Sequence, residues 1–298
     1  MGELLLVICG MVRSTDLFFR ISVMKEVPVL AIITWEHFIN AMIVIPIIFK
    51  HRKDYAKMTL RDVFLMLLIG CGSSVCGLLF FSKAYSYMNP ALVILLQKLQ
   101  PIITITFGIL LLGEKPGKGF YFWALTAIIA SYFVSFSMAN PFSGEWYKSA
   151  AGVFFAVLAA FFWGGGTAWG KLLLNKYDPL FVFGNRLFIG AIFAGALSSL
   201  FGSGMHVEKV FASSNPLIFK FLYMALVPGF LATFLFYKGL NQIRASVSAV
   251  LELVFPLSSI LIMWFFFNKP LDNVQIAAGA ILCTSIIIIT TRFSARKQ

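Results

Sequence analysis

The chain contains 298 residues, of which 60% are hydrophobic and 12% are charged, and its formal net charge is +12. Charged residues make up about 25% of an average soluble domain, so the composition excludes a soluble enzyme and a soluble binding domain. Every hydrophilic stretch is as short as a loop. The sequence therefore predicts an all-α integral membrane protein without a separate domain in water.

Ten apolar runs follow one another along the chain, each near the roughly 20 residues that cross a bilayer as a helix. They occupy residues 3–22, 29–49, 62–83, 90–112, 119–138, 150–171, 179–201, 216–237, 245–267 and 273–291. A β-barrel is the other fold that satisfies every backbone group in lipid, but its strands alternate strictly over about ten residues. The continuous runs therefore predict ten transmembrane helices.

The basic residues of the connections predict the orientation. With the N-terminus inside, the inner connections and the C-terminal tail hold 14 Lys and Arg residues and the outer connections hold 6. Because basic residues accumulate on the cytoplasmic side, we expect a multi-pass protein of the cytoplasmic (inner) membrane with both termini in the cytoplasm. Orientation and lipid headgroups account for the positive charge, so we expect no nucleic-acid partner.

One stretch of the sequence occurs twice. It reads FSKAYSYMNPALVILLQKLQPIITITFGILLLGEK from Phe81 and FYKGLNQIRASVSAVLELVFPLSSILIMWFFFNKP from Phe236. A displacement of 155 positions aligns five pairs, four of them identical: Phe81 with Phe236, Lys83 with Lys238, Leu96 with Leu251, Gln97 with Glu252 and Pro101 with Pro256. Such a period indicates a duplication, with repeats at 1–140 and 141–298. Because each repeat crosses the membrane five times, the second is inverted, as in many alternating-access transporters.

Three charged residues lie in the second half of the first span. Arg13, Asp16 and Arg20 are spaced i, i+3, i+7, which places them on one face of a helix. A charge that faces lipid costs several kcal/mol, so we expect this face to line a pathway. Arg13 is a candidate to bind an anionic group of a substrate, such as a carboxylate, with Asp16 as its resting partner or as a proton carrier. The alternative is an Arg–Asp pair within the helix, with Arg20 reaching the outer interface.

A cluster of polar and aromatic residues also lies near the outer end of the second span. It consists of Trp35, Glu36, His37 and Asn40. His37 and Glu36 are candidates for proton coupling, because imidazole titrates near physiological pH and carboxylates inside spans serve proton relays. The alternative, which we favour, is a belt of aromatic and polar side chains at the membrane interface.

The fourth and ninth spans share a polar stripe with a central proline. The stripes consist of Gln97, Gln100, Pro101 and Thr104 in the fourth span, with Lys98 beside them, and of Ser248, Glu252, Pro256 and Ser259 in the ninth. A proline removes the donor to the carbonyl four residues earlier, so we expect helix kinks that free the carbonyls of Gln97 and Glu252 for water or ligand.

The Glu252 carboxylate is a candidate for substrate binding or proton coupling, since an ionisable group at this depth is functional by default. We expect Lys98 or Arg13 as its partner, and Gln97 and Lys98 as further substrate contacts. The alternative is a structural ion pair between the two repeats.

The sixth span contains the sequence WGGGTAWGK. Gly166 and Gly170 form a GxxxG pattern that permits close helix contact. Trp163, and to a lesser extent Trp169, is a candidate to stack on the substrate, although most aromatic residues of such a chain pack against lipid. Arg186 in the seventh span is a further substrate-binding candidate, and a structural bond to backbone carbonyls or a carboxylate is the alternative.

These motifs together resemble the EamA-type branch of the drug/metabolite transporter superfamily. The resemblance rests on FFSKAYSYMNPALVILLQKLQP with Gly113-Glu114, on FYKGLNQIRASVSAVLELVFP with Gln275 and Gly279, and on Trp163-Gly164 and Arg186. It implies a ten-helix bundle with a central cavity lined by the first, third, fourth, sixth, eighth and ninth helices. Val12-Arg13 departs from the usual Trp-Gly, so we expect a first helix adapted to a charge. Asn268-Lys269 departs from Gly-Glu, so we expect the outer turn of the second repeat to close differently.

The sequence contains no nucleotide-binding, metal-binding or hydrolase motif. The four Cys residues lie inside spans, where packing is their expected role. We therefore expect neither enzymatic activity nor a metal or cofactor. The expected partners are a small-molecule substrate, protons and the lipid bilayer, and a homodimer is left open.

The sequence thus predicts a secondary active transporter for a small polar metabolite that works by alternating access. The preferred substrate is an amino acid or a related carboxylate compound, with Arg13 on its anionic group and Glu252 on its amine or on the coupling proton. The resemblance favours export. The alternatives are an exchanger for a nucleotide-like metabolite and a membrane channel or lipid-handling protein.

Overall fold

A computed structural model describes residues 1–88, 90–140, 150–202, 206–211 and 217–293 of the chain. Within these ranges the protein is helical and contains no strand. Nine helices here are long and apolar enough to cross a membrane: α2 (Val29–Lys50), α3 (Leu60–Tyr85), α4 (Leu92–Leu112), α5 (Lys118–Phe136), α6 (Ala150–Leu174), α7 (Pro179–Leu200), α8 (Leu217–Gln242), α9 (Ala245–Phe267) and α10 (Asn273–Arg292). The prediction of an all-α membrane protein is confirmed.

The first predicted span is not one continuous helix. It consists of α1 (Gly2–Ser14), a 3-10 turn at Thr15–Phe18 and a short helix at Arg20–Met24. The hydroxyls of Ser14 and Thr15 donate to the carbonyls of Met11 and Val12 at 2.6 and 2.7 Å. Such bonds to the preceding turn bend helices, and they lie where α1 ends.

Some expectations fall on residues outside the described ranges. These are the start of the second repeat at residue 141, the start of the eighth span at residue 216, and three basic residues of the orientation count, Lys148, Arg296 and Lys297.

The two repeated stretches break at equivalent positions. Helix α4 is divided into Pro90–Gln97, whose first two residues precede the range given above, and Leu99–Leu112. Helix α9 is divided into Ala245–Leu251 and Val254–Phe267. Each second piece contains 14 residues, and the 155-residue displacement found in the sequence relates both of its ends. The break at Lys98 in α4 therefore corresponds to the break at Glu252 and Leu253 in α9.

The turns after α4 and α9 also correspond, which corrects the expectation that the second one closes differently. Gly113 and Asn268 both adopt left-handed conformations, with φ values of 65° and 51°. The next backbone N–H then donates to the carbonyl six residues earlier, at 3.0 Å from Glu114 and 3.1 Å from Lys269. Asparagine tolerates this conformation almost as well as glycine does at a helix end. The two turns differ in the side chain that follows, which is Glu114 in the first and Lys269 in the second.

Helix packing places α1, α3, α4, α6, α8 and α9 at the centre of the bundle. Helix α1 packs against α8 and α9, and α6 packs against α3 and α4. Helix α2 packs against α7, and α5 packs against α10, on the flanks.

The glycines of α6 permit its close contacts in the centre. A Cβ atom on Gly164 would lie 2.8 Å from the carbonyl oxygen of Gln100 on α4, and one on Gly166 would clash with Ser73 on α3. A Cβ on Gly170 would lie 3.2 Å from the Tyr237 ring on α8. The predicted GxxxG pair therefore does allow close contact, but its two glycines face different helices.

We call the end of the bundle that carries Met1 the N-terminal face. Here the buried ammonium of Lys171 donates to the carbonyls of Leu240 and Asn241 at 2.7 and 3.0 Å. A cation at a helix C-terminus is favoured by the free carbonyls and by the helix dipole. These bonds join the ends of α6 and α8.

A second connection on the N-terminal face lies at the start of α3. The carboxylate of Asp62 is 1% exposed and accepts hydrogen bonds from Lys176 at 2.8 Å and from the Tyr177 hydroxyl at 2.9 Å. It also completes the N-terminal capping box of α3 with Thr59. The connection between α6 and α7 is thereby fixed to α3.

Candidate functional site

Glu252 lies at the break of α9, between its two helical pieces. Its carboxylate accepts a hydrogen bond from the side-chain amide of Gln100 on α4 at 2.9 Å and one from the hydroxyl of Thr167 on α6 at 3.3 Å. Three central helices therefore meet at this carboxylate. Helix α4 belongs to the first predicted repeat, and α6 and α9 belong to the second. The carboxylate lies where the two meet.

The hydrogen bonds to Glu252 come from neutral groups. The positive charges of Arg13 and Arg186 lie near enough to interact with its carboxylate electrostatically, but neither guanidinium forms an ion pair with it in the described part of the chain. An ionised group that is removed from water is stabilised by such hydrogen bonds and by nearby opposite charge.

Arg13 points toward α8 rather than toward Asp16. Its guanidinium lies over the ring of Phe236, 5.7 Å from the ring centroid, and no hydrogen-bond acceptor engages it among the described residues. A guanidinium has five N–H donors in a fixed planar arrangement. Arg13 is half-buried, so its side chain is not fully enclosed by the surrounding helices. The expectation that Asp16 is its resting partner is wrong in this structure.

Arg186 is held by hydroxyl groups. It donates to Ser74 at 2.8 Å, to Ser73 at 3.4 Å and to Tyr237 at 3.1 Å. Its guanidinium also lies 5.5 Å from the centroid of the Tyr237 ring. The partners are side-chain hydroxyls, whereas the structural alternative to substrate binding was a bond to backbone carbonyls or a carboxylate. They join α7 to α3 and α8.

Asp16, Arg20 and Glu36 form one cluster, in which Arg20 pairs with both carboxylates. Arg20 binds Asp16 four residues earlier and binds Glu36 on α2 at 2.6 Å. Glu36 is 6% exposed and Arg20 is half-buried. The pair within the first span is therefore present, and a carboxylate from α2 extends it. Two carboxylates share one guanidinium in this cluster.

His37 lies beside this cluster but faces α7. Its Nδ1 is 2.9 Å from the carbonyl oxygen of Ile33, and its ring packs on the backbone of α7 at Gly190, where a Cβ atom would clash with it. The side chain is 8% exposed. These contacts bury the ring between α2 and α7.

Lys98 does not pair with Glu252. Its ammonium donates to the hydroxyl of Ser131 on α5 at 2.9 Å, on a different side of α4 from Gln100, because residues two apart in a helix do not face the same way. Gln97, one residue earlier, is half-buried. The expected Lys98–Glu252 pair is therefore replaced by the bonds of Gln100 and Thr167.

The proline in α9 has a smaller effect than we expected. The backbone N–H of Phe255 donates to the carbonyl of Glu252 at 3.1 Å, so Pro256 does not leave this carbonyl free. In this tighter 3-10 turn, the N–H of the residue three positions later replaces the N–H that Pro256 lacks. Pro101 occupies the corresponding position in α4 and is buried within the helix.

The two tryptophans of α6 contact other aromatic residues. Trp163 lies 5.1 Å from Phe81 between ring centroids, and its indole covers Gly77 on α3. Trp169 is 6% exposed and contacts Phe107 and Phe161. These contacts favour packing as the role of both residues.

Sequence reasoning did not single out four residues that the structure brings to this region. They are Thr167, Tyr237, Ser73 and Ser74. Thr167 lies in the WGGGTAWGK motif, and Ser73-Ser74 is a polar pair at the centre of an apolar span, so both carried a signal of polarity at membrane depth. Tyr237 had no such signal, because tyrosines are common at span ends.

A groove of about 530 Å³ lies on the flank between α5 and α10 and is lined by apolar residues, among them Phe133, Ala277 and Ile281. None of the candidate site residues lines it. Among the described residues, no group of three His, Cys, Asp or Glu side chains is arranged to hold a metal ion.

Comparison with known proteins gives matches over most of the chain. The profile of the EamA-like transporter family matches residues 1–136 and 150–291. The riboflavin transporter ImpX of Fusobacterium nucleatum is 30% identical over 244 residues, which are 80% of each chain. An uncharacterized inner membrane transporter of Salmonella typhimurium, YicL, is 27% identical over 233 residues, which are 77% of this chain and 74% of YicL.

A solved crystal structure superimposes on the chain with a TM-score of 0.75, covering 97% of both chains at 15% sequence identity. At this identity the similarity concerns the fold alone.

Proposed function

Because the chain belongs to the EamA-like transporter family, we propose that it is a secondary active transporter that moves a small polar organic solute by alternating access. The observation that carries the proposal is the Glu252 carboxylate, which lies at a helix break and binds neutral donors from α4 and α6. Broken helices at the junction of two repeats are where transporters of this type bind solutes and coupling ions.

We propose further that α1 and its short extension complete a set of ten spans in two inverted repeats. The equal lengths of the second pieces of α4 and α9 support this, as do the equivalent left-handed turns at Gly113 and Asn268. The orientation with both termini in the cytoplasm rests on the 14 basic residues against 6 in the connections.

For the solute, we propose riboflavin as the first compound to test. The relative ImpX is named a riboflavin transporter, and riboflavin combines a planar heteroaromatic ring with carbonyl acceptors and an N–H donor. The donors of Arg13, which lies over the ring of Phe236, suit the carbonyls. The acceptor oxygens of Glu252 suit the N–H donor.

An amino acid is the second candidate, because Arg13 and Glu252 offer opposite charges to a zwitterion. We keep export as the expected direction, which net efflux from loaded cells would measure.

The experiment that tests the proposal is counterflow in proteoliposomes loaded with unlabelled riboflavin, an amino acid mixture or nucleotides. Saturable entry of the matching labelled compound establishes a carrier and identifies its class of solute. Linear, non-saturable flux would support a channel instead. Absence of flux for all three classes, in liposomes that contain folded protein, would contradict the proposal.

We expect Arg13→Gln to raise the half-saturation concentration about tenfold, because a hydrogen bond to a charged donor contributes about 1.5–3 kcal/mol. Arg186→Gln is the matched control. The hydroxyls of Ser73, Ser74 and Tyr237 already engage the guanidinium of Arg186, so this variant should lose thermal stability rather than solute affinity. An equal change of half-saturation in the two variants would contradict the assignment of Arg13 as a solute contact.

A further inference from the structure

The N-terminus of α9 is capped by a side chain from another helix. The first N–H groups of a helix have no partner within it, and a polar side chain at the preceding residue usually accepts from them. Arg244 occupies that position in α9 and makes no capping bond. Glu114, which follows α4, accepts from the N–H of Ala245 at 2.7 Å and from that of Ser246 at 3.0 Å. We call this arrangement the interhelical cap.

The surroundings of the interhelical cap are shaped for a carboxylate. A Cβ atom on Gly108 would lie 2.9 Å from Oε2 of Glu114, so a larger residue at this turn of α4 would require the carboxylate to move. The two N–H donors are out of contact with water, since Ala245 is 0% exposed and Ser246 is 1% exposed. Removal of the carboxylate would leave both donors unsatisfied.

The helical piece that carries the cap leads directly to the candidate site. It runs from Ala245 to Leu251, and Glu252 is its C-terminal cap residue. All seven residues of this piece are buried, and it packs against α1, α4, α5, α6 and α10. It therefore covers Glu252 on the N-terminal face.

The corresponding piece of α4, Pro90–Gln97, is less enclosed. It packs mainly against α3 and α6, and its last four residues, Ile94–Gln97, are all half-buried. The turn at the end of α9 has the same backbone form as the turn that precedes Glu114, but Lys269 replaces the glutamate there. A lysine cannot accept from backbone N–H groups, so Lys269 cannot cap the first piece of α4 in the way that Glu114 caps α9.

We propose that Glu114 is a positioning residue for Glu252, and that its bonds to Ala245 and Ser246 keep the site closed on the N-terminal face while it is open toward the opposite face. The inference rests on the proposed carrier function, because alternating access requires this face to open. Opening then requires Glu114 to leave the N-terminus of α9. The bonds of Lys171 and Asp62 on the same face remain, so loss of the cap shifts the equilibrium between the two states without abolishing the closed one.

The test measures the accessibility of two single cysteines in lipid nanodiscs, where a membrane-impermeant maleimide reaches both faces. The native cysteines are replaced by serine, and one reporter is introduced, either Ser248→Cys in the covered piece or Ile94→Cys in the opposite one. Ser248 is 0% exposed, so its labelling reports opening of the N-terminal face. Size-exclusion chromatography and thermal unfolding verify that each variant is folded.

We expect Glu114→Gln to raise the labelling rate of Ser248→Cys about tenfold and to lower that of Ile94→Cys, as a lost charge-assisted bond shifts a two-state equilibrium. Gly108→Ala should act in the same direction, because its methyl group displaces the carboxylate. Asp272→Asn is the matched control. Asp272 caps its own helix, α10, through the N–H of Gln275 at 2.9 Å, and this variant should change neither rate.

Opposite changes at the two reporters support the proposal. Unchanged rates in Glu114→Gln and Gly108→Ala would overturn it, and so would an equal increase at both reporters, which indicates general loosening. Labelling requires no solute, so its result stands apart from the counterflow result. Changed labelling rates without transport would contradict the proposed carrier function. Transport with unchanged labelling rates would contradict only the proposed role of the interhelical cap.

Discussion

Replacement of Glu252 by glutamine is expected to lower the rate of solute counterflow about 10- to 100-fold, which corresponds to about 1.5–3 kcal/mol for hydrogen bonds to a charged group. The carboxylate accepts from Gln100 and Thr167 and contacts no cation in the described part of the chain. We therefore expect a proton or a cationic group of the solute to bind this carboxylate. Glutamine keeps the size of the side chain and removes its charge.

The same variant should lose the dependence of transport on external pH. Glu36→Gln is the comparison, because Glu36 is also a buried carboxylate but is bound by Arg20 at 2.6 Å. We expect Glu36→Gln to retain the pH dependence. Proteoliposomes with and without a pH gradient measure both variants. Transport by Glu252→Gln that equals the wild-type rate, or that keeps its pH dependence, would remove Glu252 from the mechanism and shift attention to the cluster of Asp16, Arg20 and Glu36.

Replacement of Gly164 by leucine is expected to prevent accumulation of folded protein. A Cβ atom at this position would lie 2.8 Å from the backbone oxygen of Gln100 and 3.0 Å from Ile103. A backbone oxygen cannot move aside as a flexible side chain does, and overpacking costs about 1–3 kcal/mol or more. The substitution also separates the carbonyl of Gly164 from the Thr104 hydroxyl, which donates to it at 3.1 Å. Separation of α4 from α6 would in turn disrupt the site of Glu252.

The control for this effect is Gly195→Leu on α7. A Cβ atom on Gly195 would meet nothing within 4 Å, so leucine there should fold and should gain helix propensity. Fluorescence-detected size-exclusion chromatography and the midpoint of thermal unfolding measure both variants. Equal yields of monodisperse protein from the two would show that the contact of α4 with α6 tolerates a larger residue than the packing implies.

The candidate site was predictable in part from the sequence. Glu252, Gln100 and Arg13 were identifiable because polar groups inside apolar spans are costly in lipid and must find partners. Which partner each one has was not predictable. The side chains of Lys98 and Gln100 leave α4 on different sides, and only the positions of the neighbouring helices decide that Gln100 reaches Glu252 while Lys98 reaches Ser131. Tyr237 became a site residue only through the position of Arg186.

The sequence by itself determined the class of protein and the extent of nine spans, because the length and apolarity of a membrane helix are set by the thickness of the hydrocarbon layer. It also determined the equivalence of the two repeated stretches, since spacing along a chain is independent of folding. The tertiary structure decided the pairing of charges, as Arg20 binds both Asp16 and Glu36 while Arg13 lies over Phe236. It also decided that Glu114 caps a helix 131 residues away in the chain. Such contacts depend on distances between helices, which follow from packing at glycines such as Gly164 and not from the local order of residues.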